Sequence, residues 1–149
     1  MADQPDTLAA DDTSASDGTV RSTKLHIPRP PQTFVARPRL SERLDGAGPG
    51  TVALVCAPAG CGKSALVSDW CRRREVPTAW LSLDSDDNDP IRFWRHVAAS
   101  LDRSHRDDSS SLRIDIDRLI RRSSDPPLND VATAVANRID DAFDDVVLV

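Results

Sequence analysis

The sequence predicts an α/β fold, a parallel sheet flanked by helices, and three observations predict it. An apolar run at residues 52–56 leads through a glycine-bearing loop into an amphipathic stretch at 64–74. Two further apolar runs of strand length lie at 78–83 and 146–149. Segments of helical periodicity separate these runs, and strands joined by helices pair in parallel because each pair needs a crossover connection.

The 149 residues, 39% hydrophobic and 29% charged, suit one globular domain. A formal net charge of −5 gives no general affinity for nucleic acid or an anionic membrane. No apolar run is long enough to span a bilayer, and the first residues lack the basic and apolar regions of a signal peptide. A cytoplasmic address with no membrane partner is the expectation. The three cysteines, Cys56, Cys61 and Cys71, share no metal-ligand spacing with a histidine. His26, His96 and His105 are scattered, and each reads as an ordinary surface or helix residue.

Residues 1–22 are rich in Asp, Ser, Thr and Ala and poor in large apolar side chains. They cannot bury enough surface to offset ordering entropy, so a disordered tail is expected there and a partial domain over 23–149. Residues 38–44 read as a short helix with Pro38 in its first turn, followed by a glycine-rich connection. The next strand is expected over 52–56, fully buried, and the helix after it over 64–74. Arg72, Arg73 and Arg74 suit the negative end of that helix. After the strand at 78–83 comes an acidic run, 84–89, read as a solvated loop with Asp89 as N-cap and Pro90 at the first helical position. Trp94, Val97, Ala98 and Leu101 then share one face of a helix over 91–103. A polar linker at 104–111, a short helix at 112–122, the Pro126-Pro127 stop and a helix at 128–141 precede the last strand.

The chemistry concentrates between the first strand and its helix. Ala57, Pro58, Ala59, Gly60, Cys61, Gly62, Lys63 and Ser64 match the phosphate loop G-x-x-x-x-G-K-[ST] except at the first position. Gly60 and Gly62 let the backbone turn sharply and bring its N–H groups to phosphate oxygens. The helix N-terminus adds partial positive charge. Lys63 reaches the β- and γ-phosphates, and Ser64 gives its hydroxyl to Mg²⁺. Ala57 is acceptable where glycine is usual only if its φ stays negative. Cys61 reads as an inert small residue in the loop. The fold class is therefore a P-loop NTPase-type sheet.

The runs TKLHIP, FVARPRLSERL, LVCAPAGCGKSALVSDW and TAWLSLDSDDNDPIRFWRHVAASL resemble the nucleotide-binding domain of MalT-type, large LuxR-family regulators. These are STAND-class signalling ATPases, and the resemblance covers residues 23–149. It implies ATP with Mg²⁺ as cofactors, a nucleotide-dependent switch, self-association and a role in transcription regulation. It also implies base-proximal positions for Val35 and Arg37.

The resemblance further implies acidic residues directly after the last strand, a later strand inserted beside the loop strand, and a distant DNA-binding module. None follows within these residues, so the domain is read as incomplete at its C-terminus, with an uncovered interior sheet edge. ATP hydrolysis and DNA binding by this chain are not expected. Two alternatives stay open, a truncated remnant that at most associates with a full-length relative and a small P-loop phosphotransferase.

Overall fold

A computed structural model describes residues 20–105, 111–121 and 128–149. The expected tail falls outside the described residues up to residue 19, as do 106–110 of the polar linker and the Pro126-Pro127 stop.

Helix boundaries follow the capping chemistry. Helix α1 (Pro38–Asp45) begins on proline, whose fixed φ suits a first turn, and closes with the Gly46 amide on the Glu42 carbonyl at 3.0 Å. Helix α2 (Lys63–Arg73) starts one residue before the expected position, directly from Gly62. Ahead of α3 (Pro90–Ser104), Asp89 accepts from the Arg92 amide at 2.7 Å, as the Asp89-Pro90 pair predicts. The N-terminus of α4 (Leu112–Arg121) is capped from α3, where Asp102 accepts from the Leu112 and Arg113 amides at 2.9 and 3.1 Å. Helix α5 (Leu128–Ala142) completes the set.

Two short strands pair in parallel, β1 (Thr78–Ala79) with β2 (Val147–Leu148), and Thr78 lies opposite Val147. The ladder runs on past them, since Leu81 donates to the Val149 carbonyl at 2.7 Å. Strand alternation then divides the core. Ala79 and Leu81 pack with Val97, Ala98, Leu101, Ile116, Val131 and Val135 of α3, α4 and α5. Trp80, between them in sequence, packs with Trp70 and Cys71 of α2 and with Leu44 of α1. Helices therefore cover both faces of the sheet.

The fully buried strand expected over residues 52–56 is not present. These residues join no ladder and, among the described residues, make no recorded backbone hydrogen bond. Val52 is 97% exposed and Leu54 86%. A β-prone sequence becomes a strand only where a neighbour satisfies its amides and carbonyls. Among the described residues, no strand stands beside 52–56. A groove of about 770 Å³ is lined both by Ala53 and Val55 and by Val147 and Val149 of the β2 edge.

Candidate phosphate-binding site

The loop is built by two glycines in a conformation that side chains resist. Gly60 and Gly62 both have φ of +80°, and no other described residue of the loop has positive φ. Ala57 therefore meets the condition on which its presence depends. A Cβ added at Gly60 or Gly62 would touch nothing within 4 Å, so it is backbone conformation, and not space, that calls for glycine there. The loop closes on itself through the Cys61 amide and the Pro58 carbonyl at 3.4 Å.

Gly62 caps α2 in left-handed geometry, and its carbonyl accepts the Leu66 amide at 2.9 Å. No side chain caps the helix. The first amides of α2 thus have no intrahelical acceptor, and they stand where an anion can meet them. Lys63 folds back over the loop, donating to the Ala57 carbonyl at 2.8 Å and the Pro58 carbonyl at 3.0 Å. A flexible ammonium held by two carbonyls can transfer to phosphate oxygens without crossing a packed core. Ser64 is exposed at the first turn, beside Lys63. Ala57, Pro58, Ala59, Gly60, Cys61 and Gly62 are exposed as well, and none of them lines the large groove. That groove lies next to the loop segment, not at it.

The structure does not tie Val35 and Arg37 to this loop. Val35 is 74% exposed. Arg37 precedes α1, where its carbonyl accepts from the Leu40 and Ser41 amides at 2.9 and 3.1 Å. Among the described residues, no recorded bond joins either one to residues 57–64.

A second group of chemically active side chains was not expected. The acidic run 84–89 is more than a solvated loop, since Ser85–Asn88 forms a 3-10 turn with a reciprocal cap between Asp84 and Asp87. Lys24 is buried there, 2.6 Å from Asp87 Oδ2 and 2.8 Å from Asp84 Oδ1. Burial pulls the Lys24 ammonium down, but its bonds to Asp84 and Asp87 outweigh that and leave it raised. Burial pushes the Asp87 carboxyl up, yet Lys24 and the Asp84 amide hold it at about 2. His96 is not an ordinary surface residue, being only 1% exposed on α3. Burial keeps its ring below the usual histidine range, with Lys24 and Arg92 adding to the effect against the pull of Asp87. The Asp-x-x-Asp spacing of 84 and 87 is a capping pattern legible in sequence. The distance from residue 24 to residue 87 is not.

Cys71 is buried against Trp70 and Trp80, and burial pushes its thiol up, whereas Cys56 and Cys61 are exposed. Among the described residues, no group of three His, Cys, Asp or Glu side chains could hold a metal ion. Among the described residues, no helix is long and apolar enough to cross a membrane.

Comparison with known proteins finds partial likeness. The chain is 37% identical over 82 residues to the HTH-type transcriptional regulator MalT of Cronobacter sakazakii. It is 35% identical over 85 residues to the serine/threonine-protein kinase PknK of Mycobacterium tuberculosis and of Mycobacterium bovis. Each match takes in 55% of this chain and only 9% or 8% of the relative's own length. No protein-family profile matches the chain, and no solved structure does.

Proposed function

We propose that this chain is the nucleotide-binding part of a MalT-like, STAND-type signalling regulator, with ATP or ADP as its ligand. The observation that carries the reading is the geometry of the loop, in which two glycines at φ of +80° lead into a helix N-terminus with no side-chain cap, and Lys63 folds back over the loop. The donor set fits a polyphosphate. Loop and first-turn amides supply directed N–H groups, Lys63 supplies a mobile charge, and the space around both glycines is open. Ser64 would give its hydroxyl to a Mg²⁺ ion shared with phosphate oxygens. Bound nucleotide would supply a charged group whose presence or loss shifts the loop between two states, and the chain's own residues would bind and orient it.

The two kinds of relative support the signalling part of the reading. One carries the name of a transcriptional regulator and the other that of a protein kinase, and this chain matches under a tenth of either. Likeness to proteins of two such different kinds fits a switching module better than it fits a DNA-reading part or a kinase catalytic part. Self-association, a cytoplasmic address and the absence of DNA binding by this chain belong to the same proposal.

Titration calorimetry with Mg-ATP tests it. Lys63→Ala removes a charge-assisted contact of about 1.5–3 kcal/mol, so affinity should fall roughly ten- to a hundredfold. Equal affinity in the two proteins would overturn the phosphate-loop reading.

A further inference from the structure

Residues 21–28 form a strap that touches the end of β1, α2, α3 and the acidic turn. Its 3-10 turn, Ser22–Leu25, buries Lys24 and Leu25. The Lys24 carbonyl accepts the Ser82 amide at 2.9 Å, just past β1. The Ile27 carbonyl accepts from Arg72 on the last turn of α2 at 2.8 Å, and Arg103 of α3 lies 3.1 Å from His26 Nδ1.

What anchors the strap is charge. Lys24 Nζ sits between Asp87 Oδ2 and Asp84 Oδ1, and the Asp87 side chain is almost entirely out of water. The other oxygen of Asp87 has a different neighbour, for His96 Nδ1 lies 2.9 Å from Oδ1. That pair is placed for a hydrogen bond but not aligned as one, and His96 Nε2 has no partner among the described residues. Asp87 thus faces two nitrogen bases on two different elements. Lys24 on the strap is charged, and His96 on α3 is buried as the neutral ring.

The geometry points to a proton-operated latch, in which protonated His96 takes Asp87 over from Lys24 and the strap is released while α3, α4 and α5 stay packed. The exchange is simple to balance. His96 takes one proton from solvent on Nε2, its Nδ1–H faces Asp87 Oδ1 with the full charge of the imidazolium, Lys24 keeps its proton and moves into water, and the chain gains one positive charge. The charges around the ring are few. The strap brings Lys24, and also Arg21, which lies 3.7 Å from Asp86. The acidic turn brings Asp84, Asp86 and Asp87. On its own helix, Arg92 is held by Asp86 at 3.3 Å, and Arg95 is held by Asp117 of α4 at 2.7 Å. The charges that act most strongly on the ring are those of Asp87, Lys24 and Arg92. With the strap closed, burial and the two cations oppose protonation. Opening removes Lys24 and admits water, so proton uptake and release of the strap favour one another.

The latch stands apart from the nucleotide reading, and amide hydrogen exchange by NMR on the whole chain tests it without nucleotide. Two amides report on the strap, that of Lys24, bonded to the Arg21 carbonyl at 3.0 Å, and that of Ser82. After correction for intrinsic rates, both should lose at least roughly tenfold in protection between pH 7.5 and pH 5.5, while the Val97 and Leu101 amides keep theirs. In His96→Gln, which fills similar space but takes up no proton, strap protection should be independent of pH over that range. Lys24→Met should leave the strap open at both pH values. The latch is overturned if wild-type protection is unchanged, if His96→Gln still opens at pH 5.5, or if strap and core amides open together. Should His96→Gln fail to fold, the wild-type His96 ring titration decides. A midpoint shared with Ser82 exchange supports the latch, and midpoints a full pH unit apart refute it.

Discussion

Replacing Asp87 with Asn keeps the shape of the side chain and removes the charge that holds Lys24. The Asp87 carboxyl sits at about 2 against an ordinary 3.8. A difference of that size contributes about 2 kcal/mol of stability. Its sign follows from which state holds the proton. The unfolded chain binds it first, so the contribution is complete above pH 3.8 and is lost as pH falls toward 2. The substitution costs more than this, because Lys24 remains buried with only the half-exposed Asp84 for a partner. Breaking a buried pair on one side costs about 3–5 kcal/mol. Urea unfolding at pH 7 should therefore show Asp87→Asn less stable by about that amount, and its stability should no longer fall between pH 4 and pH 2 as steeply as that of the wild type. In Lys24→Met with Asp87→Asn, the loss should be well short of the sum of the two single losses. At pH 7, where the strap is closed, a cost under about 1 kcal/mol for Asp87→Asn would refute the claim that this pair anchors the strap.

Two further outcomes follow from local geometry. Gly62→Ala should destabilise the chain by about 1–2 kcal/mol through its left-handed φ, with no clash against other parts of the chain, and a neutral result in thermal unfolding would contradict that backbone geometry. A thiol reagent should modify Cys56 and Cys61 in the folded chain and reach Cys71 only on unfolding, which mass spectrometry of labelled peptides reads directly; rapid labelling of Cys71 would show that the Trp70–Trp80 cluster is open.

What was legible in the sequence was local. The Asp89-Pro90 start of α3, the Pro38 start of α1 and the glycines of the loop each carry their signal within four residues, and the structure places them as the sequence suggests. The apolar face of α3 holds too, with Val97, Ala98 and Leu101 buried. What was not legible depends on partners far along the chain. Residues 52–56 have the composition of a buried strand, but burial is conferred by a neighbouring strand, and none stands there among the described residues. Lys24 drew no reading from the sequence, and His96 read as an ordinary surface or helix residue, because nothing near them in sequence satisfies a buried charge. The groups that do so come from residues 84 and 87.

The central claim is that residues 57–64 bind the phosphates of a nucleotide, and amide chemical-shift mapping tests it most directly. On addition of Mg-ATP to the ¹⁵N-labelled chain, the largest shifts should fall on the amides of Gly60, Cys61, Gly62, Lys63 and Ser64, saturate with one nucleotide per chain, and be lost in Lys63→Ala. Shifts centred elsewhere, or an unperturbed loop at millimolar Mg-ATP, would contradict it.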